Sequence, residues 1–352
     1  MIPFFENIQD RGPGWLDGGG PASDIVVSTR VRLARNLKTF PFPHHASDVE
    51  LGTIFGDLAR RLPRFPEFSG GWMLDMDQLE PTMRKVLQEM SLVSPALVRK
   101  PLHRGLVLSP QMHRAVMINE MDHMRLVAFR AGFDPSGTLA DALELDSRLE
   151  QEVEPAFAED LGYLTSSPAD VGTGLHVSSL IHLPGLVLAG EIDKVLNALR
   201  QLPFSVRGLL GEGSTVRGAL FRVSNLVTLG RDEQEIAEDF QVHVGKILIY
   251  ERSARDQLYA RDPLGIEDMS HRSLATVRQS RLITAQETFD HLSNIRLGVG
   301  LGVLEPLQPG LLNRVLVQQQ TAHLELAAGR PLASREKSAS RSALLREVFA
   351  AE

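Results

Sequence analysis

The 352-residue chain is 43% hydrophobic and 23% charged, a balance that suits about two globular domains and excludes a disordered or fibrous protein. Its 37 Lys+Arg against 44 Asp+Glu give a formal charge of −7, which argues against holding nucleic acid or an anionic membrane through bulk charge, so an anion site has to be built locally. The absence of cysteine excludes disulfides, thiolate zinc sites, iron–sulfur clusters and a cysteine nucleophile, and makes the cytoplasm the expected compartment.

The opening MIPFFENIQDRGPGW has neither a basic nor a long apolar region, so no secretion signal is expected, and residues 1–22 read as an irregular leader ending in Gly18, Gly19, Gly20 and Pro21. DIVVSTRV (24–31) is rich in β-branched residues and predicts a strand. Leu79, Met83, Val86, Leu87 and Met90 recur at helical spacing and predict an amphipathic helix over 74–93. Leu106–Leu108, Ala115–Ile118 and Met124–Phe129 are short apolar runs between polar breaks, the pattern of adjacent antiparallel strands.

Leu175–Ile181 predicts another strand, followed by a helix with Leu188, Ile192, Val195, Leu196 and Leu199 on one face. Ala219, Phe221 and Val223 alternate with Arg222 and Ser224, so this strand should carry a charged side chain opposite its apolar face. A helix with Ile236, Phe240, Val244 and Ile247 runs from about Glu233 and should end near Ala254. Tyr259–Asp268 has the composition of a linker, and His271–Glu352 reads as mostly helical. Leu297–Leu312, the richest apolar stretch, is broken by Glu305, two prolines and several glycines, so no membrane span is expected. The expected fold class is α+β, with an antiparallel sheet and helices over 23–254 and a small helical domain over 255–352.

VGTGL (171–175) and GLLGEGS (208–214) match neither the P-loop nor the Rossmann glycine pattern. No HExxH occurs, and His44, His45, His123, His176 and His182 lack ligand spacing, so no side chain is assigned to a metal. Arg30 and Arg32 in STRVR, Arg125 in DHMRLV and Arg207 in VRGLLGE sit in otherwise apolar contexts. Guanidinium groups hold phosphate bidentately and keep their charge, so arginines converging from separate strands would form a polyphosphate clamp. Taken singly, such an arginine is more often a solvated surface residue.

Several segments in order narrow that choice: DIVVSTRVRLARNL (24–37), INEMDHMRL (118–126), SPADVGTGLHVSSLIHLP (167–184), VRGLLGEGS (206–214), FRVSNLVTLGRDEQEI (221–236), IRLGVGLGVL (295–304) and TAHLELAAGR (321–330). Together they resemble the guanidino (phosphagen-type) kinases, and most closely the bacterial protein arginine kinases of the McsB type. The resemblance implies a twisted antiparallel sheet backed by helices, with ATP and Mg2+ lying across it. It places the phosphates on Arg30, Arg32, Arg125 and Arg207. It completes the nucleotide site with Ser28, Thr29, Val31, His176, Val177, Ser178, Ser179, Leu180, Gly208, Leu209, Leu210, Gly211 and Glu212. Glu212 matches one of two glutamates that bracket the acceptor guanidinium in this family. Only 27 residues precede Ser28, whereas small-molecule phosphagen kinases carry a further helical domain there. The resemblance therefore implies arginine side chains of other proteins as substrates, with a homodimer through the C-terminal domain.

The sequence departs from the family pattern at the acceptor. The family NEEDH is Asn119-Glu120-Met121-Asp122-His123 here, so a thioether replaces the second glutamate and can neither balance the charge nor accept a proton. Glu120 and Asp122 are candidate substitutes, although alternation along an extended segment would turn them to the other face. Family CPTN is Ser167-Pro168-Ala169-Asp170, which adds a carboxylate at Asp170, and a clamp arginine is His176. A nucleotide-contacting histidine aligns with Ser91, and the RDxxRA phosphoarginine pocket of the family aligns with Lys337–Ser342, where only Arg341 keeps its charge. The catalytic candidates are thus Glu212, Glu120 and Asp170. Two functions follow: ATP-dependent phosphorylation of protein arginines, or an inactive pseudokinase that binds nucleotide or partners as a regulator.

Overall fold

The computed structural model describes residues 3–6, 8, 12–208, 216–308 and 310–350. Ten strands are present among them: β1 (Val26–Arg35), β2 (Trp72–Asp75), β3 (Gly105–Leu108), β4 (Arg114–Ile118), β5 (Met124–Ala131), β6 (Phe157–Ala158), β7 (Gly162–Tyr163), β8 (Leu175–His182), β9 (Phe204–Arg207) and β10 (Leu220–Asn225). Eight form one antiparallel sheet in the order β2-β3-β4-β5-β1-β8-β10-β9, and β6 and β7 form a separate hairpin. The strand β1, built from the β-branched run, lies inside the sheet and is buried throughout except at Arg30 and Arg32.

Alternation gives the two faces of this sheet different fates. Val31, Leu33, Val116, Leu126, Val177 and Phe221 pack under helices Asp48–Arg61, Pro135–Glu152 and Glu233–Arg261. The other face is apolar at one end, where Leu74, Leu106, Ala115, Met117 and Phe129 share a core with Val86, Leu292, Ile295 and Val315. Its remaining part carries arginines.

The structure departs from the sequence expectations at four places. The helix expected over 74–93 is a strand as far as Asp75 and a helix only over Pro81–Glu89, because Pro81 fixes the first turn and Leu74 pairs with Leu106. The helix expected through Leu188 and Leu199 is two helices, Pro184–Leu188 and Ile192–Arg200, separated at the left-handed Gly190. The helix from Glu233 runs on to Arg261 and turns at Asp262, whose side chain caps the next helix, Pro263–Gln279, so the expected linker is a helical corner. The leader is also less irregular than expected: Trp15, 3% exposed, and Leu16 sit on a 3-10 turn inside the core.

The C-terminal helices are fastened to the sheet domain by a carboxylate. Glu89 accepts from the backbone N–H groups of Ala322 (2.9 Å) and His323 (3.1 Å) and from His323 Nδ1 (2.7 Å), capping helix Thr321–Ala328. Glu89→Ala should lower the unfolding free energy by about 1–2 kcal/mol. Urea unfolding should show an earlier midpoint with an unchanged slope.

Candidate active site

Strand register determines which side chains meet. Ala34 pairs with Arg125, Arg32 with His176, Arg30 with Ser178, Leu180 with Arg222, and Arg222 with Arg207. Directly opposed residues share a face, so Arg30, Arg32, Arg125, Arg207 and Arg222 project from four strands onto one side of the sheet. Arg222 was not among the sequence candidates, although its alternation with Phe221 and Val223 was the available signal. Burial, then the charges of Arg222 and Arg125, pushes the Arg30 guanidinium down to about 9. Burial, then Arg125 and Arg30, does the same to Arg32, also to about 9, against the pull of Asp170 and Glu120. Burial lowers Arg222 to about 10. Guanidinium groups keep their proton under ordinary conditions, so these shifts describe cations held out of water, with Arg30 and Arg32 also close to like charges. The Nε atoms of Arg30, Arg32 and Arg125 are buried and meet no hydrogen-bond acceptor among the described residues.

Arg125 is surrounded by three carboxylates. Its guanidinium pairs with Glu120, lies 3.7 Å from Asp122 and 3.8 Å from Asp170, and all four side chains are largely buried. Burial pushes the Glu120 carboxyl up, but Arg125, the Ser94 hydroxyl and the Met121 N–H outweigh it and hold the carboxyl below its usual range. Segment 119–123 is a turn rather than an extended strand, because Asn119 is left-handed at φ 54° and its N–H closes onto His123 O at 2.9 Å. Glu120 and Asp122 both reach Arg125, while Met121 between them is 44% exposed.

Asn36 fastens this turn, donating to Asp122 (2.7 Å) and accepting from the His123 N–H (2.9 Å). His123 accepts at Nδ1 from Leu37 N–H (3.0 Å), and burial lowers it to about 4, which keeps it neutral.

Asp170 bridges two parts of the site. Its Oδ1 lies 2.8 Å from His176 Nε2 and its Oδ2 faces Arg125. Burial raises the Asp170 carboxyl, but His176, Arg32 and Arg125 outweigh that and hold it low.

The remaining sequence candidates divide by strand face. Ser28 and Ser178 share the arginine face, and Leu180 is part of the apolar core at its end. Thr29, Val31, Val177 and Ser179 alternate to the other face, where Thr29 bonds to Gly132 O at 2.7 Å and lies 3.3 Å from Ser179. Only their backbone borders the site. Gly208 is buried, whereas Leu209, Leu210, Gly211 and Glu212 lie outside the described residues. In the tail, Arg341 is buried and donates to Gln319 O (2.8 Å) and Ile283 O (3.2 Å), tying helices together.

Residues 61–254 match the family "ATP:guanido phosphotransferase, C-terminal catalytic domain", and residues 263–352 match "Protein-arginine kinase McsB C-terminal domain". The protein-arginine kinase of Bacillus velezensis is 37% identical over 97% of this chain and 94% of its own length. That of Bacillus subtilis is 37% identical over the same shares, and that of Halalkalibacterium halodurans is 38% identical over 96% of each. Among solved structures, a duplicated taurocyamine kinase from Schistosoma mansoni with bound transition-state analogue components aligns with a TM-score of 0.60 at 23% identity, over 72% of this chain and 36% of that one. A lombricine kinase aligns with a TM-score of 0.58 at 20% identity, over 70% of each. These two establish the shared fold, an antiparallel sheet backed by helices. With both regions matched and relatives aligned along nearly its entire length, the chain belongs to the ATP:guanido phosphotransferase family, in the group of the protein-arginine kinases.

Proposed function

We propose that this protein transfers the γ-phosphoryl group of ATP to arginine side chains of other proteins, and that Arg30, Arg32, Arg125, Arg207 and Arg222 form the polyphosphate cradle. The observation that carries the reading is the register, which gathers five arginines from four strands on one sheet face, three of them with buried Nε donors that no described acceptor meets. A phosphoryl group in transfer spreads negative charge over its oxygens, and fixed guanidinium groups stabilise that charge without reorganising. Ser28, Ser178 and the backbone of 28–32 and 176–180 line the nucleotide in this reading, to which the family resemblance adds Gly208–Glu212.

The acceptor guanidinium must lose a proton as the N–P bond forms, which requires a positioned carboxylate. Glu120 is committed to Arg125, Ser94 and the Met121 N–H, and Asp170 to His176, so both act as positioning groups in this reading, and the family resemblance assigns the proton acceptor to Glu212, which lies outside the described residues. The family implies Mg2+ with its nucleotide. Mg2+ keeps several waters and is held through one or two carboxylates and substrate phosphates. Asp122, whose Oδ2 is buried without a hydrogen-bond partner among the described residues, is the carboxylate that fits it. When bound, it would neutralise charge on the transferred group.

The same reading divides the chain at 23–254 and 255–352, joins two copies through the C-terminal part, and places the protein in the cytoplasm. No helix among the described residues is long and apolar enough to cross a membrane. Incubation with labelled ATP and an arginine-rich protein is expected to give acid-labile, base-stable label on the acceptor. Nucleotide binding without any label at high enzyme concentration would overturn transfer and leave a nucleotide-binding regulator.

A further inference from the structure

His176 lies directly opposite Arg32 on the arginine face, and each of its ring nitrogens meets an oxygen: Nε2 lies 2.8 Å from Asp170 Oδ1 and Nδ1 lies 3.3 Å from the Asn225 carbonyl. Neither oxygen can donate once Asp170 is ionised, and a neutral imidazole has a single N–H. Only the imidazolium satisfies both contacts. Opposing that form are the cations on the same face: Arg32 and Arg30 from β1, Arg125 from β5, Arg222 from β10 and Arg207 from β9. The carboxylates favouring it are Asp170, in direct contact, and Glu120 and Asp122 around Arg125. The ring thus sits between two acceptors that call for a second proton and a group of guanidiniums that repel it.

We propose that binding of a nucleotide polyphosphate to this face is coupled to uptake of one proton by His176, with Asp170 as the positioning residue that holds the resulting imidazolium. The proposal rests on the reading of the arginine face as the nucleotide site and adds a titratable charge to it. Both ring nitrogens are occupied, so His176 acts through its charge rather than by touching phosphate. Phosphate oxygens that pair with Arg32 and Arg125 remove the repulsion, and the two waiting acceptors then draw the proton in. Without ligand, burial, together with Arg32 and Arg125, outweighs Asp170 and keeps the ring below its ordinary value.

The sign follows from this order. The proton is held more tightly in the bound state, so nucleotide affinity is highest and flat below the depressed value of the free protein. Affinity falls as pH rises between the free and bound values, by up to about tenfold per pH unit for one linked proton, and is flat again above the bound value.

Calorimetric titration of the full chain with Mg·ADP, in buffers of different ionisation heat from pH 5.5 to 8.5, reads the proton directly. Wild type is expected to take up between half a proton and one proton more than His176→Arg near neutral pH, the variant cancelling titration of the nucleotide itself. Asp170→Asn should move the uptake to lower pH. Because either variant can disturb the sheet, the His176 ring resonances of the unaltered protein give a second reading, and they should move from neutral to cationic on saturation with Mg·ADP at pH 7. Equal uptake in wild type and His176→Arg, or a ring that stays neutral with nucleotide bound, overturns the coupling while leaving the nucleotide site intact. Failure of Mg·ADP to bind at any pH overturns the site and the coupling together.

Discussion

Arg125→Ala is expected to lower the unfolding free energy by about 3–5 kcal/mol, because it leaves buried carboxylates without their counter-charge. Glu120 is 5% exposed and Asp122 is fully buried, and Asp170 also faces the lost guanidinium. Phosphoryl transfer should fall by about 10^3-fold or more, the scale of one transition-state arginine. The pH dependence has a definite sign. In the native protein the Glu120 carboxyl is held low, so its contribution is present above the unfolded value and is lost on acidification. Without Arg125, burial pushes that carboxyl up against only the Ser94 hydroxyl, the Met121 N–H and Arg32, so the gap from wild type narrows as pH falls into the carboxylate range. Urea unfolding at pH 7.5 and pH 5 checks both statements. A loss below 1 kcal/mol at pH 7.5, or a gap that widens in acid, would contradict the role given to this cluster. Arg125→Lys should recover part of the stability and little of the activity, since an ammonium keeps the charge but not the planar fork.

The second large effect runs in the opposite direction. Met121→Glu should raise transfer to protein arginine by about 10^2-fold or more, the usual worth of a positioned acid–base group. Met121 is exposed, and its turn is held by the Met121 N–H to Glu120 (2.7 Å) and by the Ser166 hydroxyl to the Met121 carbonyl (2.6 Å). The new carboxylate therefore points outward from an unchanged backbone, and folding stability should move by no more than about 0.5 kcal/mol. Steady-state transfer with the two proteins side by side is the measurement. Equal or slower transfer by the variant would mean that the acceptor does not enter past residue 121.

What could be read from the sequence follows from the range of the interactions. Strand alternation is local, so the strands around Val26, Val116, Leu126, Val177 and Phe221 were visible as period-two or apolar runs, and the sharing of a face by Arg30 and Arg32 followed from their spacing. Alignment of those two with Arg125 and Arg207 depends on register between strands far apart in the chain, which pattern alone does not provide. Arg222 was visible as a charged residue in an apolar strand, but nothing local assigned its face to the site. The meeting of Glu120 and Asp122 with Arg125 depends on a turn begun by the left-handed Asn119, which no local pattern announces. The expected helix end near Ala254 failed for a different reason. The stop signals there are weak, whereas Asp262 and Pro263 form a strong corner eight residues later.

The apolar half of the arginine-bearing face has an uneven origin along the chain. Leu106, Met117 and Phe129 are enclosed together with Phe4, Phe5 and Trp15 from the beginning and with Leu292, Ile295, Val315, Leu345 and Phe349 from the far end. A ribosome-bound chain that has already emerged through β10 therefore still presents a greasy sheet surface to solvent, and a fragment cut at residue 254 would present it permanently. Such a fragment should aggregate unless a holding chaperone covers that surface.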